Sequence, residues 1–577
     1  MAAGLLAATS CSDFNDYNEV PEAPAASAAS TLWDNISSNS QLSSFRDLVA
    51  RTGYQSYLQQ PRAYTIWAPT NVDMAKYADM SDSLLLEQFV KNHIAEYNYV
   101  ASGNLENQRV LMLNGKSFTF AGNGSYQFAG VDVTQANVPC SNGIMHILGS
   151  EIPFYPNLYE YLTMATDIDS IRNYIKRYEV TTLDVSNSEK GPIVNGVQTY
   201  IDSVMVTSNS ILGRSGLNAN LQSEDSVYTM LLPTNKAYMD FYNRVKSLYK
   251  YIAATQVELP AEYTKASDKK QKTVTLAAPA YRSDSLARKE LLSNLVFSHS
   301  NTYNARVFGE LEKDPAMEDT IVSTNRTKLS TPYEILDRYL VDEPVVMSNG
   351  FARVVDSLAF PSWDSFNPQI TSLMTRNLLK TFASSVTNVQ VQDPQGAILG
   401  PEYTSFRYTL VENDKDVSLP DMMVSLPDVL SGSYNIYCVV LPYVIGRAGV
   451  NKITPMNFSL SYTDASNKIQ TYNFSAKAGD NNPKTLNLTT AFMNDTLKTN
   501  VADTIKLGTF TFPICYKGLA SSSENIAPHI RVTSPIPAID LIRKTTPYSR
   551  EFRIWGFILR PVEYDDYLNS LKSNDNE

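Results

Sequence analysis

Cysteine is scarce: the 577-residue chain has four, Cys11, Cys140, Cys438 and Cys515. That density excludes a small disulfide-stapled scaffold, so the fold must rest on apolar cores. Cys438 and Cys515 sit in strand-like runs and could pair, although buried free thiols are the favoured reading. Positive charge is short as well, with 48 Lys and Arg against 59 Asp and Glu and a net charge of −11. Such a surface repels a phosphate backbone on average, which argues against nucleic acid as a partner. The longest apolar stretches of the body fall far below the ~20 residues of a spanning helix. A P-loop, His-Glu-x-x-His and Gly-x-Ser-x-Gly are all missing. Gly122-Asn123-Gly124 begins like a dinucleotide fingerprint but lacks the third glycine, and no helical pattern follows, so it reads as a loop.

What is present is ordinary for a folded chain: 43% apolar and 19% charged residues, with 35 Tyr, 29 Pro and 24 Gly. The composition favours many short strands and frequent turns, with helices in the minority. The length calls for roughly three or four domains, because one core rarely serves so many residues.

Residues 1–10 are small and largely apolar and run into Cys11, followed by the acidic Ser12-Asp13-Phe14-Asn15-Asp16. The Ala8-Thr9-Ser10-Cys11 run resembles the lipobox of bacterial lipoproteins, in which the cysteine becomes an acylated N-terminus. The acidic segment resembles the export tag of Bacteroidota-type surface lipoproteins. No Lys or Arg precedes the apolar run, which is short for a signal core, so a tail with a chance cysteine stays open. Residues 21–30 (PEAPAASAAS) read as a linker.

An internal repeat organises the middle of the chain. Tyr64-Thr65-Ile66-Trp67-Ala68-Pro69-Thr70-Asn71 recurs as Tyr228-Thr229-Met230-Leu231-Leu232-Pro233-Thr234-Asn235. Each copy reads as a strand, a capping Thr or Asn, and a helix. An apolar stripe follows at helical spacing, Leu86, Phe89, Val90 and His93 in copy one, and Leu292, Leu295, Val296 and His299 in copy two. Ser81-Asp82-Ser83 and Ser283-Asp284-Ser285 offer capping oxygens before those helices. The third shared element is Ser141-Asn142-Gly143-Ile144-Met145-His146, matched by Ser348-Asn349-Gly350-Phe351-Ala352-Arg353; Asn-Gly between strand-like runs predicts a hairpin through positive φ. His93 and His146 stand 53 positions apart, and His299 and Arg353 stand 54. Copy two carries 42 extra residues between Asn235 and His299, much of it in 253–285.

These elements, in this order, resemble the fasciclin domain over residues 29–154 and 157–361. Copy two departs from the family where Arg353 replaces the expected histidine. From 366 onward the repeat stops, and strand candidates at 405–411, 434–440, 457–462, 509–515 and 552–559 suggest a β-sandwich or jelly roll. Phe458, Leu460 and Tyr462 alternate cleanly toward one face. The expected fold is therefore α+β and all-β, two fasciclin-like domains followed by a C-terminal β-sandwich. Its boundaries are 1–30 signal and linker, 31–155 domain one, 156–365 domain two with insertions, and 366–577 sandwich.

No residue pattern favours catalysis. His93 and His146 lack the further ligands a zinc site needs and read as satisfied core histidines. Cys140 near His146 lacks an orienting third group. Glu412, Asp414 and Asp416 read as a solvated turn rather than a calcium loop, and Lys265, Lys269, Lys270 and Lys272 as a mobile basic loop. Trp363 and Trp555 are candidate sugar platforms, with core as the commoner role. No metal, cofactor or defined ligand-binding residue is expected. The resemblances imply a non-catalytic outer-membrane lipoprotein, lipid-anchored through Cys11, for binding or docking. It would be an accessory of a SusC/SusD-type uptake system for glycan or peptide, with a free-standing adhesin or a C-terminal hydrolase as alternatives.

Overall fold

The computed structural model describes residues 30–70, 72–186, 188–202, 205–252, 256–258, 273–275, 278–315, 317, 319–381, 386–412, 419–441, 455–474, 486–487, 501–517, 528–542 and 549–574. The expectations at Cys11, Asn71, Asp414, Asp416 and the four lysines of 265–272 lie outside these residues. The chain divides into two compact units.

The first unit holds residues 30–164, Leu221–Val227 and Val345–Phe351. Helices Leu32–Ser38 and Ser43–Arg51 precede β1 (Tyr64–Pro69), and short helical turns lead from Met74 to His93 and β2 (Ile94–Glu96). A meander follows: β3 (Asn104–Leu111), β4 (Ser117–Asn123), β5 (Ser125–Phe128), β6 (Val131–Cys140) and β7 (Gly143–Leu148). The seven strands form one sheet in the order β2-β1-β7-β6-β5-β4-β3, with β1 antiparallel to β2 and parallel to β7. Strand alternation sorts two cores. Ile66, Ala68, Met145 and Ile147 face the helices and pack with Phe45, Leu48 and Phe89. Trp67 and Leu148 face the other way, onto Val110, Phe120 and Phe128 of the meander. Gly122-Asn123-Gly124 forms the β4–β5 turn, where a Cβ on Gly122 would stand 2.1 Å from the Ser125 carbonyl oxygen.

Copy one lacks the expected cap at Thr70. Its hydroxyl donates to the carbonyl oxygens of Leu148 (3.0 Å) and Gly149 (3.3 Å), and Asp73 caps the 3-10 turn Met74–Tyr77 instead. Ser81 does cap the short helix Asp82–Leu85.

The second unit holds Ala165–Asn220, Tyr228–Pro344 and residues 352–574. In copy two, Tyr228–Pro233 lies between Val296–Ser298 and residues 352–355. Thr234 caps helix Asn235–Lys246 by accepting from the Ala237 amide. Ser283-Asp284-Ser285 falls inside helix Pro279–Leu292 rather than at its start, because Pro279 fixes the first turn. Asp284 is consumed there by Arg288 and Tyr242.

The sheet register also moves the pairing of the histidines. Ile66 faces Ile94 in copy one and Met230 faces Val296 in copy two. Leu295 therefore occupies the place of His93, and His299 the place of Tyr97. The residue that recurs just before is a buried asparagine, Asn92 and Asn294, at 0% and 1% exposure.

Residues 366–574 supply two six-stranded sheets. One runs Val386–Gln392, Ser405–Val411, Phe552–Pro561, Ser433–Val440 and Asp503–Thr511, with Ile370–Leu373 also on Phe552–Pro561. The other runs Leu378–Thr381, Asp421–Ser425, His529–Thr533, Pro455–Thr463 and Ile469–Asn473, with Leu486–Asn487 also on Pro455–Thr463. They share one core in which Phe458 of the second meets Phe557 of the first, ring centroids 6.3 Å apart. Phe458, Leu460 and Tyr462 all turn into it. The strand expected at 509–515 ends at Thr511, since Pro513 has no N–H to give a ladder.

Candidate functional site

Asn142 and Gly143, two of the residues singled out by the repeat, lie where β1 and β7 meet the first helix. Asn142 is 8% exposed, and its side chain makes three backbone bonds. It accepts from the Leu32 amide (2.8 Å) and donates to the carbonyls of Leu58 (2.8 Å) and Gln60 (2.9 Å). Asn349 repeats the pattern, accepting from the Leu158 amide (2.8 Å) and donating to Leu221 (2.9 Å) and Ser223 (3.0 Å). Neither asparagine takes a positive φ, so the reason given for the Asn-Gly pair holds for the glycine alone. Gly143 has φ +153°, and a Cβ there would stand 2.0 Å from the Tyr64 carbonyl oxygen. Gly350 has φ +137°. The asparagines are latches that tie the start of a helix to the segment before a strand.

Each latched helix opens with a capping box. Thr31 and Asp34 exchange backbone-to-side-chain bonds at the first, and Asn157 and Glu160 do so at the second. Thr31-Leu32-Trp33-Asp34 and Asn157-Leu158-Tyr159-Glu160 are thus a fourth shared element, marked in the sequence by a cap three residues before an acid.

His93 is fully buried, its Nδ1 2.8 Å from the Phe89 carbonyl oxygen and its Nε2 accepting from the Ile152 amide at 3.0 Å. His146 lies between layers: Nε2 is 2.9 Å from the Tyr99 carbonyl oxygen, and Nδ1 accepts from the Asn137 amide at 3.3 Å. Its ring stacks on Trp67, whose centroid is 5.5 Å away. Burial holds both rings neutral, lowering each pKa to about 4. Every ring nitrogen of the pair already faces a backbone group, which leaves none for a metal or a substrate.

Thr229, His299 and Glu310 line up like a nucleophile, base and orienting acid, with Thr229 Oγ1 2.9 Å from Nε2 and Glu310 Oε1 2.5 Å from Nδ1. Thr229 is 1% exposed, however, and its counterpart Thr65 stitches backbone in the same position, to Tyr97 and Tyr99. The hydroxyl is a strand staple. Arg353 donates to the Leu336 carbonyl (3.1 Å) and pairs with Asp337 (2.5 Å), replacing the expected histidine by an ion pair.

Cys140, Cys438 and Cys515 are free and buried. Burial raises the thiols of Cys140 and Cys515 to about 11 and pushes Cys438 higher still. Folded protein in alkylating reagent at neutral pH should leave all three unlabelled, and label all three after denaturation; peptide mass analysis reads the result.

The strongest electrostatic feature of the first unit is Lys116, 2% exposed. Its ammonium pairs with Glu160 (2.6 Å) and Glu224 (2.8 Å), lies 3.3 Å from Ser348 Oγ and sits over the Phe154 ring. Beside it opens a cleft of about 380 Å³, walled by Phe118, Thr119, Gly130, Tyr155, Val346 and Ser348. The walls mix hydroxyl and apolar groups, and two carboxylates outweigh the single lysine charge, so the cleft suits contact rather than anion capture. Lys116→Met should cost about 3 kcal/mol by leaving the half-buried carboxylates of Glu224 and Glu160 side by side without their shared cation. Faster hydrogen exchange across 158–164 would register the loss, and adding Glu224→Gln should restore part of it.

Trp555 is core, 6% exposed among Phe406, Tyr408, Val439 and Leu441. Trp363 stacks on Tyr564 and Tyr567, centroids 5.5 and 5.0 Å away. Its partners are therefore aromatic rings of the chain itself. Among the described residues no group of three or more His, Cys, Asp or Glu gathers as a metal site.

The fasciclin domain family model matches residues 40–152, and no curated protein matches the chain. Among solved structures, a FAS1 domain pair from the insect cell adhesion molecule fasciclin I is similar at 13% identity and TM-score 0.19, covering 56% of this chain and 97% of its own. A Paenibacillus xanthan lyase matches at 9% identity and TM-score 0.20, covering 37% of this chain and 16% of its own. Carbohydrate-binding modules of the β-sandwich superfamily match at 12% identity and TM-score 0.17, covering 42% and 69%. With its latch, its buried histidines and its family match, the stretch from 40 to 152 is a fasciclin domain.

Proposed function

We propose that the chain is a non-catalytic binding or docking protein, lipid-anchored through Cys11 on the outer face of an outer membrane, and an accessory of a SusC/SusD-type uptake system for glycan or peptide. The observation that carries the binding part is the fasciclin domain at 40–152, a domain type associated with adhesion and binding. The consumption of His93, His146, Thr229 and Cys140 by the fold supports a surface role over a chemical one. The architecture proposed is two fasciclin-like copies and a C-terminal β-sandwich. The repeated asparagine latch supports the second copy, and the single core shared by two six-stranded sheets supports the sandwich.

Gentle detergent extraction of native membranes and pull-down through this protein tests the reading. A transporter barrel and its lid in fixed ratio are expected. Isolation of the protein alone would overturn the transporter role and leave a free-standing adhesin.

A further inference from the structure

The sheet containing Asp421–Ser425, His529–Thr533, Pro455–Thr463 and Ile469–Asn473 has two chemically opposed faces. Met422, Val424, Phe458, Leu460, Ile530 and Val532 enter the shared core. Strand alternation then sends the intervening residues to the opposite face, where the register arranges them in cross-strand rows. Asp421, Thr533 and Asn457 form one row; Arg531, Ser459 and Asn473 stand in the next with Met423, which is buried beside them. Over the first row lies an open cleft of about 520 Å³, walled also by Leu419, Pro420 and Pro535. Leu419 is 45% exposed at its rim.

The lining decides the ligand class. Arg531 grips Asp421 through two bonds, Nε to Oδ1 at 2.7 Å and Nη2 to Oδ2 at 2.5 Å, which fixes both side chains and cancels their charge. With no net charge, the cleft has no pull on a phosphate or another anion. Its polar groups are a carboxylate, an amide, a guanidinium and hydroxyls, a mixture of donors and acceptors on a rigid strand scaffold. The rim adds flat apolar surface from leucine and proline. A sugar ring matches both parts: its hydroxyls each donate and accept, and its C–H face packs on apolar carbon. The volume is within the ~300–1,000 Å³ of small-molecule sites, enough for a short stretch of oligosaccharide. A peptide adding as a strand would need a sheet edge, whereas this cleft opens on a face.

We infer that this cleft binds a neutral glycan, with Asp421, Asn457, Arg531 and Thr533 contacting its hydroxyls. The inference deepens the binding role proposed above and rests on it. It is independent of the membrane partner.

The test is affinity electrophoresis of the purified full chain through native gels containing, in turn, starch, xyloglucan, mannan, galactan, and the acidic polymers pectin and heparin. At least one neutral polymer should retard the protein. Asn457→Ala and Thr533→Val should each weaken that retardation about tenfold, and Val346→Ala, in the other cleft, should leave it unchanged. Thr533→Val removes one polar atom at constant shape, so loss of binding there is not loss of fold. Retardation by no neutral polymer, by the acidic polymers alone, or equally for wild type and variants, would overturn the inference. Because the gels contain no membrane, failure here leaves the transporter reading standing, and a lone protein in the pull-down leaves this site standing.

Discussion

Lowering the pH from 7 to 4 should destabilise the fasciclin domain by roughly 3 kcal/mol for each of His93 and His146. Both rings are neutral in the fold, each with one nitrogen near a carbonyl oxygen and the other accepting from an amide. A second ring proton would point at the Ile152 amide in one case and the Asn137 amide in the other, donor against donor. Burial accordingly lowers both pKa values to about 4, while an unfolded histidine titrates near 6.5. Below pH 6.5 the unfolded chain takes up protons that the fold refuses. The stabilisation is therefore complete above that value and disappears as the pH falls toward 4. Hydrogen exchange of peptides across β1 and β7 at pH 7, 5.5 and 4.5, corrected for intrinsic rates, reads the effect. His93→Leu should flatten about half of the slope; the second copy already carries Leu295 at that place. A domain equally protected at pH 7 and 4.5 would sink the argument.

The legible parts of the chain are those whose pattern has one cause. Pro-Thr-Asn after an apolar run marked both central strands, because each is buried on both faces and cannot alternate. Phe458, Leu460 and Tyr462 were readable because one face of their strand meets a core and the other does not. The meander from Asn104 to Cys140 left no such signal: β3 exposes almost every residue, so its sequence has no period to read.

The histidines misled for a related reason. His93 and His299 both close an apolar stripe, yet one ends a helical turn and the other follows a strand by one residue. Asn92 and Asn294 held the true alignment, but a buried asparagine looks like surface in a sequence. The polar cleft over Asp421 and Arg531 was hidden the same way, since residues far apart in sequence meet only through strand order. The capping boxes at Thr31 and Asn157 are local and legible, each a capping residue three positions before an acid.

Asn142→Ala should cost about 4 kcal/mol, more than a surface change by several-fold. It strands a buried N–H at Leu32 and the Leu58 carbonyl, each worth about 1–3 kcal/mol when left unpaired, while the exposed Gln60 carbonyl keeps the Arg62 amide. Gly143→Ala should be as severe for a different reason, since its Cβ would stand 2.0 Å from the Tyr64 carbonyl oxygen and 2.9 Å from Leu32 Cδ1. The two lesions share the β1–β7 seam: the Tyr64 amide donates to the Asn142 carbonyl at 3.3 Å. Once the latch is open, β1 and the first helix can recede and make room for the extra methyl. The double variant should therefore fall short of the sum of the singles by 1 kcal/mol or more, as coupled neighbours do. Exchange protection of β1 and β7 in the three variants measures this directly, without requiring the whole chain to unfold in one step. Strict additivity would mean that the asparagine latch and the glycine contact act separately, and that the seam is not one unit.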